Sequence, residues 1–257
     1  MKRPRRFIQF WVFVMLFCFS YPYSVLAQKN VAQILKKLDA TYYYPQRNDL
    51  TSLVATVVWE KGFSGNDNYA TNPTLKFSWN GNSGKRTFNV AGSSLELPSE
   101  EQTRLLQFFS NYKEALLPKT LNEKFSRYLG RASHGNFGTQ IVLEIKDFKD
   151  GISRYSLLIS DKLHHISRML IDRIEAPTKV AGEFKYIQRD GYWLVSESIA
   201  RFNLGGQPYE EKTLYYYREI ENIWLVNKID QTLTKDDKKL SRFIFRVKDY
   251  LLNWSNN

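Results

Sequence analysis

The stretch KVAGEFKYIQRDGYWLVSESIARF, residues 179–202, decides the fold. Two runs rich in β-branched and aromatic residues flank Asp190-Gly191, a dipeptide that closes a tight hairpin. Tyr186, six intervening residues, then Trp193-Leu194-Val195 recur as Tyr217, six residues, then Trp224-Leu225-Val226, 31 positions on. Successive strands therefore place the same aromatics on the same side of one sheet.

Downstream, Gly205-Gly206-Gln207-Pro208 breaks the chain before a further hairpin over 212–219 and 223–233. The last segment, 240–251, fits two periods. Leu240, Phe243, Ile244, Val247 and Leu251 line a helix face, whereas Phe243, Phe245 and Val247 alternate with Arg242, Ile244, Arg246 and Lys248 as in a strand. The strand is preferred because it continues the meander across the turn at 234–239. Upstream, 139–146 and 152–160 flank an Asp150-Gly151 turn, and 166–174 follows.

The chain opens differently. Val31, Ile34, Leu35, Leu38 and Tyr42 share one helical face before Pro45. Residues 53–59, 74–79 and 85–90 then read as strands, with Asn80 to Gly84 as a turn. A helical insertion at about 99–129 interrupts them. Its first helix carries Ser99-Glu100-Glu101-Gln102 as a capping box, with Leu105, Leu106, Phe108, Phe109 and Tyr112 around more than half its circumference. Thr120-Leu121-Asn122-Glu123 is a second box, starting a shorter helix through Phe125 and Leu129. The expected class is α+β, mainly antiparallel β: a curved meander or half-open barrel of about ten strands with an N-terminal helix and a central helical insertion.

The chain of 257 residues carries +11 formal charges, and its composition excludes wholesale disorder and a polytopic membrane protein. Lys2, Arg3, Arg5 and Arg6 precede an apolar run from Phe7 to Phe19, and Val25 and Ala27 sit three and one residues before Gln28. This is the pattern of a signal peptide, residues 1–27, cleaved near Ala27, and it implies a periplasmic or secreted protein. Residues 28–257 form a single β-rich domain. Losing the leader takes the net charge from +11 to +7 and removes Cys18, the lone cysteine. The domain must then hold together without disulfides, and export directs its positive charge toward envelope components, with no nucleic-acid partner.

Chemistry is hard to find. His134, His164 and His165 read as surface or edge residues, and adjacent strand positions point to opposite faces, so His164 and His165 cannot chelate one ion together. No cysteine or histidine cluster suggests a metal, and no Gly-x-Ser-x-Gly turn or glycine-rich phosphate loop is present. The pairs Glu100-Glu101, Glu210-Glu211 and Asp236-Asp237 fit a helix's first turn or strand turns. A non-enzymatic protein without cofactor is the expectation.

Aromatics say more. Phe77, Trp79, Trp193 and Trp224 on expected strands form one candidate wall of an apolar ligand cavity, with Leu105, Phe108, Phe109 and Tyr112 as its lid. A filled sandwich core uses the same residue types. Arg242, Arg246 and Lys248 form a basic face of the last strand, able to meet a solvent layer, anionic headgroups or a partner.

The order of elements, from Leu53-Val54-Ala55-Thr56-Val57-Val58-Trp59 through Asp190-Gly191-Tyr192-Trp193-Leu194-Val195 to Phe243-x-Phe245-x-Val247-Lys248-Asp249-Tyr250, resembles the Lol-type lipoprotein carriers and their periplasmic relatives. That resemblance implies a half-barrel around helices, binding lipid or lipoprotein acyl chains, with peripheral membrane contact allowed. The alternative on the same fold is a filled-core module that binds an envelope protein.

Overall fold

The computed structural model describes residues 21–63, 73–91, 98–145, 151–162 and 164–255. The Lys2 to Phe19 stretch of the expected leader and the Asp150 half of the expected Asp150-Gly151 turn lie outside the described residues. Near the start stand α1 (Tyr21–Asp39) and a 3-10 turn (Pro45–Arg47), followed by β1 (Leu50–Phe63), β2 (Leu75–Asn80) and β3 (Lys85–Val90). The helical block is α2 (Ser99–Ser110), α3 (Lys113–Leu116) and α4 (Leu121–Phe125). Then come β4 (Leu129–Gly135), β5 (Gly138–Glu144), β6 (Ile152–Ser160), β7 (His165–Arg173) and β8 (Lys179–Arg189). The longest strands close the chain: β9 (Tyr192–Leu204), β10 (Gln207–Ile220), β11 (Ile223–Lys235) and β12 (Lys238–Trp254).

All twelve strands belong to one open antiparallel sheet in the order β3-β2-β1-β12-β11-β10-β9-β8-β7-β6-β5-β4. Chain order is kept except where β12 returns to pair with β1. The meander from β8 to β12 follows from its turns. Asp190-Gly191, Gly205-Gly206, Glu221-Asn222 and Asp236-Asp237 all have positive φ, between 49° and 82°. Two-residue loops of that hand match the strand twist and bring each strand straight back onto its neighbour. The ambiguous last segment is a strand, as preferred from the sequence.

The two faces of the sheet differ. Its outer face is tiled with cross-strand ion pairs. Arg201 reaches both Glu183 and Glu210, Lys185 and Lys212 flank Glu197, and Lys228 and Arg242 flank Asp230. Helices cover the inner face in two places. Beneath α2 and α3, a core built on β1, β2, β3, β11 and β12 buries Leu53, Phe77, Trp79, Phe88, Phe109 and Phe245. Beneath α1 and α4, a second core on β5, β6 and β7 buries Leu35, Phe125, Ile141, Leu143, Tyr155 and Leu157. Close approach of α1 needs a glycine: a Cβ on Gly130 of β4 would sit 2.6 Å from a Val31 methyl.

Some local expectations are corrected. Among the described residues twelve strands form, in keeping with the expected meander of about ten, and Leu129 opens β4 instead of closing a helix. The first capping box does not form: α2 begins at Ser99 behind Pro98, and no side chain caps it. At the second, Thr120 is the cap, accepting from the Glu123 amide at 3.1 Å. Tyr42 leaves the helical face expected of it, since α1 stops at Asp39. The Thr41 hydroxyl donates to the Leu38 carbonyl, and Tyr42 pairs with Trp193 in an isolated parallel bridge.

Candidate functional site

Between the two filled cores the inner face is lined but not filled. A cavity of about 370 Å³ lies there. Its floor is Phe184 and Tyr186 of β8, Trp193 and Val195 of β9, and Tyr215 and Tyr217 of β10. Trp224 and Val226 of β11 and Ile166 and Met169 of β7 extend it. Both copies of the Tyr-x6-Trp repeat thus face one space. The walls come from the other side: Tyr42 to Pro45 after α1, and Asn111, Glu114, Leu116, Lys119, Lys124 and Phe125 from the helical block.

The space exists because the sheet divides beneath it. The β9–β10 ladder runs only from the Leu204–Gln207 pair to the Glu197–Leu214 pair, leaving 192–196 and 215–220 without mutual pairing. Other groups occupy the gap. The Trp193 amide donates to the Thr41 carbonyl at 2.8 Å, and the Tyr43 amide to the Trp193 carbonyl at 3.0 Å. The Tyr217 hydroxyl donates to the Val195 carbonyl at 2.8 Å, and the Trp224 amide to the Tyr43 hydroxyl at 2.8 Å. Backbone groups of β9 that a ladder would satisfy are thereby satisfied by the backbone of Thr41 and Tyr43 and by the Tyr217 hydroxyl.

Tyrosine hydroxyls also set the electrostatics. The Ile166 amide donates to Tyr42 Oη and Tyr186 Oη donates to the Ile166 carbonyl, both at 2.7 Å. Burial pushes Tyr42 up to about 12 and raises Tyr186 and Tyr217 as well, so all three stay neutral at ordinary pH. His165 stacks on Tyr186 with ring centroids 4.3 Å apart, and burial lowers its pKa. This buried histidine corrects the surface reading, while neighbouring His164 is exposed in the turn. His134 lies on β4 and bonds the Thr139 hydroxyl.

Asp39 fixes the wall. It is 3% exposed, takes the Tyr44 hydroxyl at 2.6 Å, and accepts the Leu121 and Asn122 amides at 2.7 and 2.9 Å. A carboxylate at the end of α1 thereby caps α4. At the rim, Lys124 pairs with Glu114 at 2.5 Å.

Of the residues expected from sequence, Trp193 and Trp224 line this cavity. Phe77 and Trp79 lie in the filled core beneath α2, as does Phe109, while Leu105, Phe108 and Tyr112 pack against that core. Phe109 meets the rings of Trp59, Phe88 and Phe245 at 5.3 to 5.5 Å. The breadth of apolar surface on α2 is thus spent on the core. Arg242, Arg246 and Lys248 share the outer face of β12. Arg242 makes two bonds to Asp230, at 2.6 and 2.7 Å, and Arg246 reaches Glu60 at 3.5 Å. The sequence reading missed Tyr42, Met169 and Lys119 as lining residues. Tyr186 and Tyr217 were visible in the repeat.

Among the described residues no group of three His, Cys, Asp or Glu side chains could hold a metal, and no helix is long and apolar enough to cross a membrane. A wider hollow of about 540 Å³ lies among the hairpin ends, walled by charged side chains such as Lys179, Arg201, Glu210 and Asp236 together with Leu170, Phe202 and Tyr209.

No protein-family model and no curated protein matches the chain. Several solved structures are similar to it. A DUF1329 family protein from Desulfovibrio piger is 11% identical with a TM-score of 0.39, over 90% of this chain and 95% of that one. An outer membrane lipoprotein-sorting protein domain from Vibrio parahaemolyticus is 9% identical with a TM-score of 0.32, over 88% and 93%. A LolA superfamily protein from Nitrosomonas europaea, of the family whose element order the sequence resembles, is 11% identical with a TM-score of 0.37, over 86% and 92%.

Proposed function

We propose that this is an exported, non-enzymatic envelope protein that shelters the apolar part of a lipid, lipoprotein acyl chain or similar amphiphile in the central cavity. One observation carries the reading: between two filled cores the same sheet face lines about 370 Å³ with Trp193, Trp224, Phe184 and Met169 and leaves it unfilled. A filled-core interaction module would close that volume.

The energetics suffice without catalytic groups. Burying about a dozen methylenes yields roughly 10 kcal/mol at ~0.8 each, and association costs about 4–15 kcal/mol. A preformed cavity keeps that cost near the low end, leaving roughly 5–6 kcal/mol, a Kd on the order of 0.1 mM. Native mass spectrometry of protein purified from membranes tests the proposal. It predicts a co-purifying mass that organic solvent removes and added fatty acid restores. A consistently ligand-free species that takes up no fluorescent fatty acid would overturn it.

A further inference from the structure

Resting on that reading, we infer that the ligand is a single-chain amphiphile with an anionic head, its chain in the aromatic cavity and its head beside Lys119. Two observations point there independently.

The first is volume. A water's share of the liquid is about 30 Å³ and a methylene fills much the same, so the cavity accommodates one chain of about a dozen carbons. A second chain of that length would lie outside the enclosed volume.

The second is the distribution of charge around the lining. The strand side supplies aromatic and aliphatic groups, while the helical block supplies the charged ones: Glu114, Lys119 and Lys124. Glu114 and Lys124 neutralise each other at 2.5 Å. Lys119 is half-buried and has no ion-pair partner among the described residues, so one positive charge remains on that rim. Its backbone is held in place. The preceding Pro118 carbonyl accepts from Gln46 Nε2 at 2.7 Å, and Arg86 Nε donates to the Leu117 carbonyl at 3.0 Å. Thr120, directly after Lys119, caps α4. An ammonium carried by an anchored backbone at one side of an apolar cavity favours an anionic head over a neutral or cationic one.

A carboxylate and a phosphate monoester share this chemistry. Isothermal titration of the full-length mature protein with dodecanoate, dodecyl phosphate, dodecanol and dodecyltrimethylammonium separates the cases, with Lys119→Glu and Lys119→Arg alongside. Both anions are expected to bind more tightly than dodecanol, and the tighter of the two identifies the head. Lys119→Glu should weaken anion binding by about tenfold with dodecanol unchanged, and Lys119→Arg should retain it. Across a chain-length series, affinity should rise by about fourfold per methylene and level off near a dozen carbons. Equal binding of dodecanoate and dodecanol, both indifferent to Lys119→Glu, would overturn the head assignment while leaving the cavity reading intact. Tighter binding of the ammonium, or affinity still climbing well past a dozen carbons, would overturn it too. Failure of every probe to bind would instead defeat the proposed function.

Discussion

One sheet face carries two regions of similar composition and different state. Beneath α2, the rings of Phe88, Phe109, Phe243 and Phe245 stack among themselves and against Trp59. Over β8 to β11, the rings of Tyr186, Trp193, Tyr217 and Trp224 border open volume. What separates them is the covering element. A twelve-residue helix whose Leu105, Leu106, Phe108 and Phe109 pack on the core reaches into the first region, whereas only an extended strap and short helices bound the second. Aromatic content therefore does not locate a cavity; the reach of the opposing element does.

Mutation separates the two regions. Phe109→Ala removes a ring 1% exposed and should cost about 3–5 kcal/mol, as large-to-small changes in packed cores do, measured by urea denaturation. Phe184→Ala, half-buried on the cavity floor and packed against the second core on one side, should cost less, about 1–2 kcal/mol. Equal costs would mean that the cavity is filled in solution. Asp39→Ala leaves the Tyr44 hydroxyl and two α4 amides without their acceptor and should lower stability by about 1–3 kcal/mol in the same assay, loosening the cavity wall.

Next comes Val195→Phe, which puts a ring into the open volume. It should weaken acyl-chain binding by at least about tenfold in a fluorescent fatty-acid assay, while the unfolding midpoint moves little. High pH provides another contrast. Tyr42 is held up at about 12, against about 10 in the unfolded chain. Its folded pKa is the raised one, so its contribution is full below pH ~10 and declines as pH rises toward ~12. Urea midpoints from pH 8 to 11 should fall above ~10, and less steeply in Tyr42→Phe. The smallest effect belongs to the outer face. Arg246→Ala breaks a half-exposed pair with Glu60 and should change stability by under about 0.5 kcal/mol.

Much of this architecture was legible in the sequence. Asp190-Gly191 and the recurring Tyr-x6-Trp predicted neighbouring strands with their aromatics on one side, because turn chemistry and the two-residue period are local. Thr120 as a cap was local as well. Three other features were not. The division between β9 and β10 arises from Thr41 and Tyr43 docking on Trp193 across some 150 residues of chain. Asp39 capping α4 is equally remote. Phe77 and Trp79 could not be told apart from Trp193 and Trp224 by type or period, since only the placement of α2 decides which aromatics become core.

That distinction is also what an experiment can read most directly. Dodecanoate brominated along its chain quenches indole fluorescence at contact, and tryptophans lie in both regions. Saturable quenching is predicted, largely lost in the Trp193→Phe/Trp224→Phe double variant and kept in Trp79→Phe. Absence of quenching, or quenching that disappears with Trp79 and survives without Trp193 and Trp224, would contradict the account.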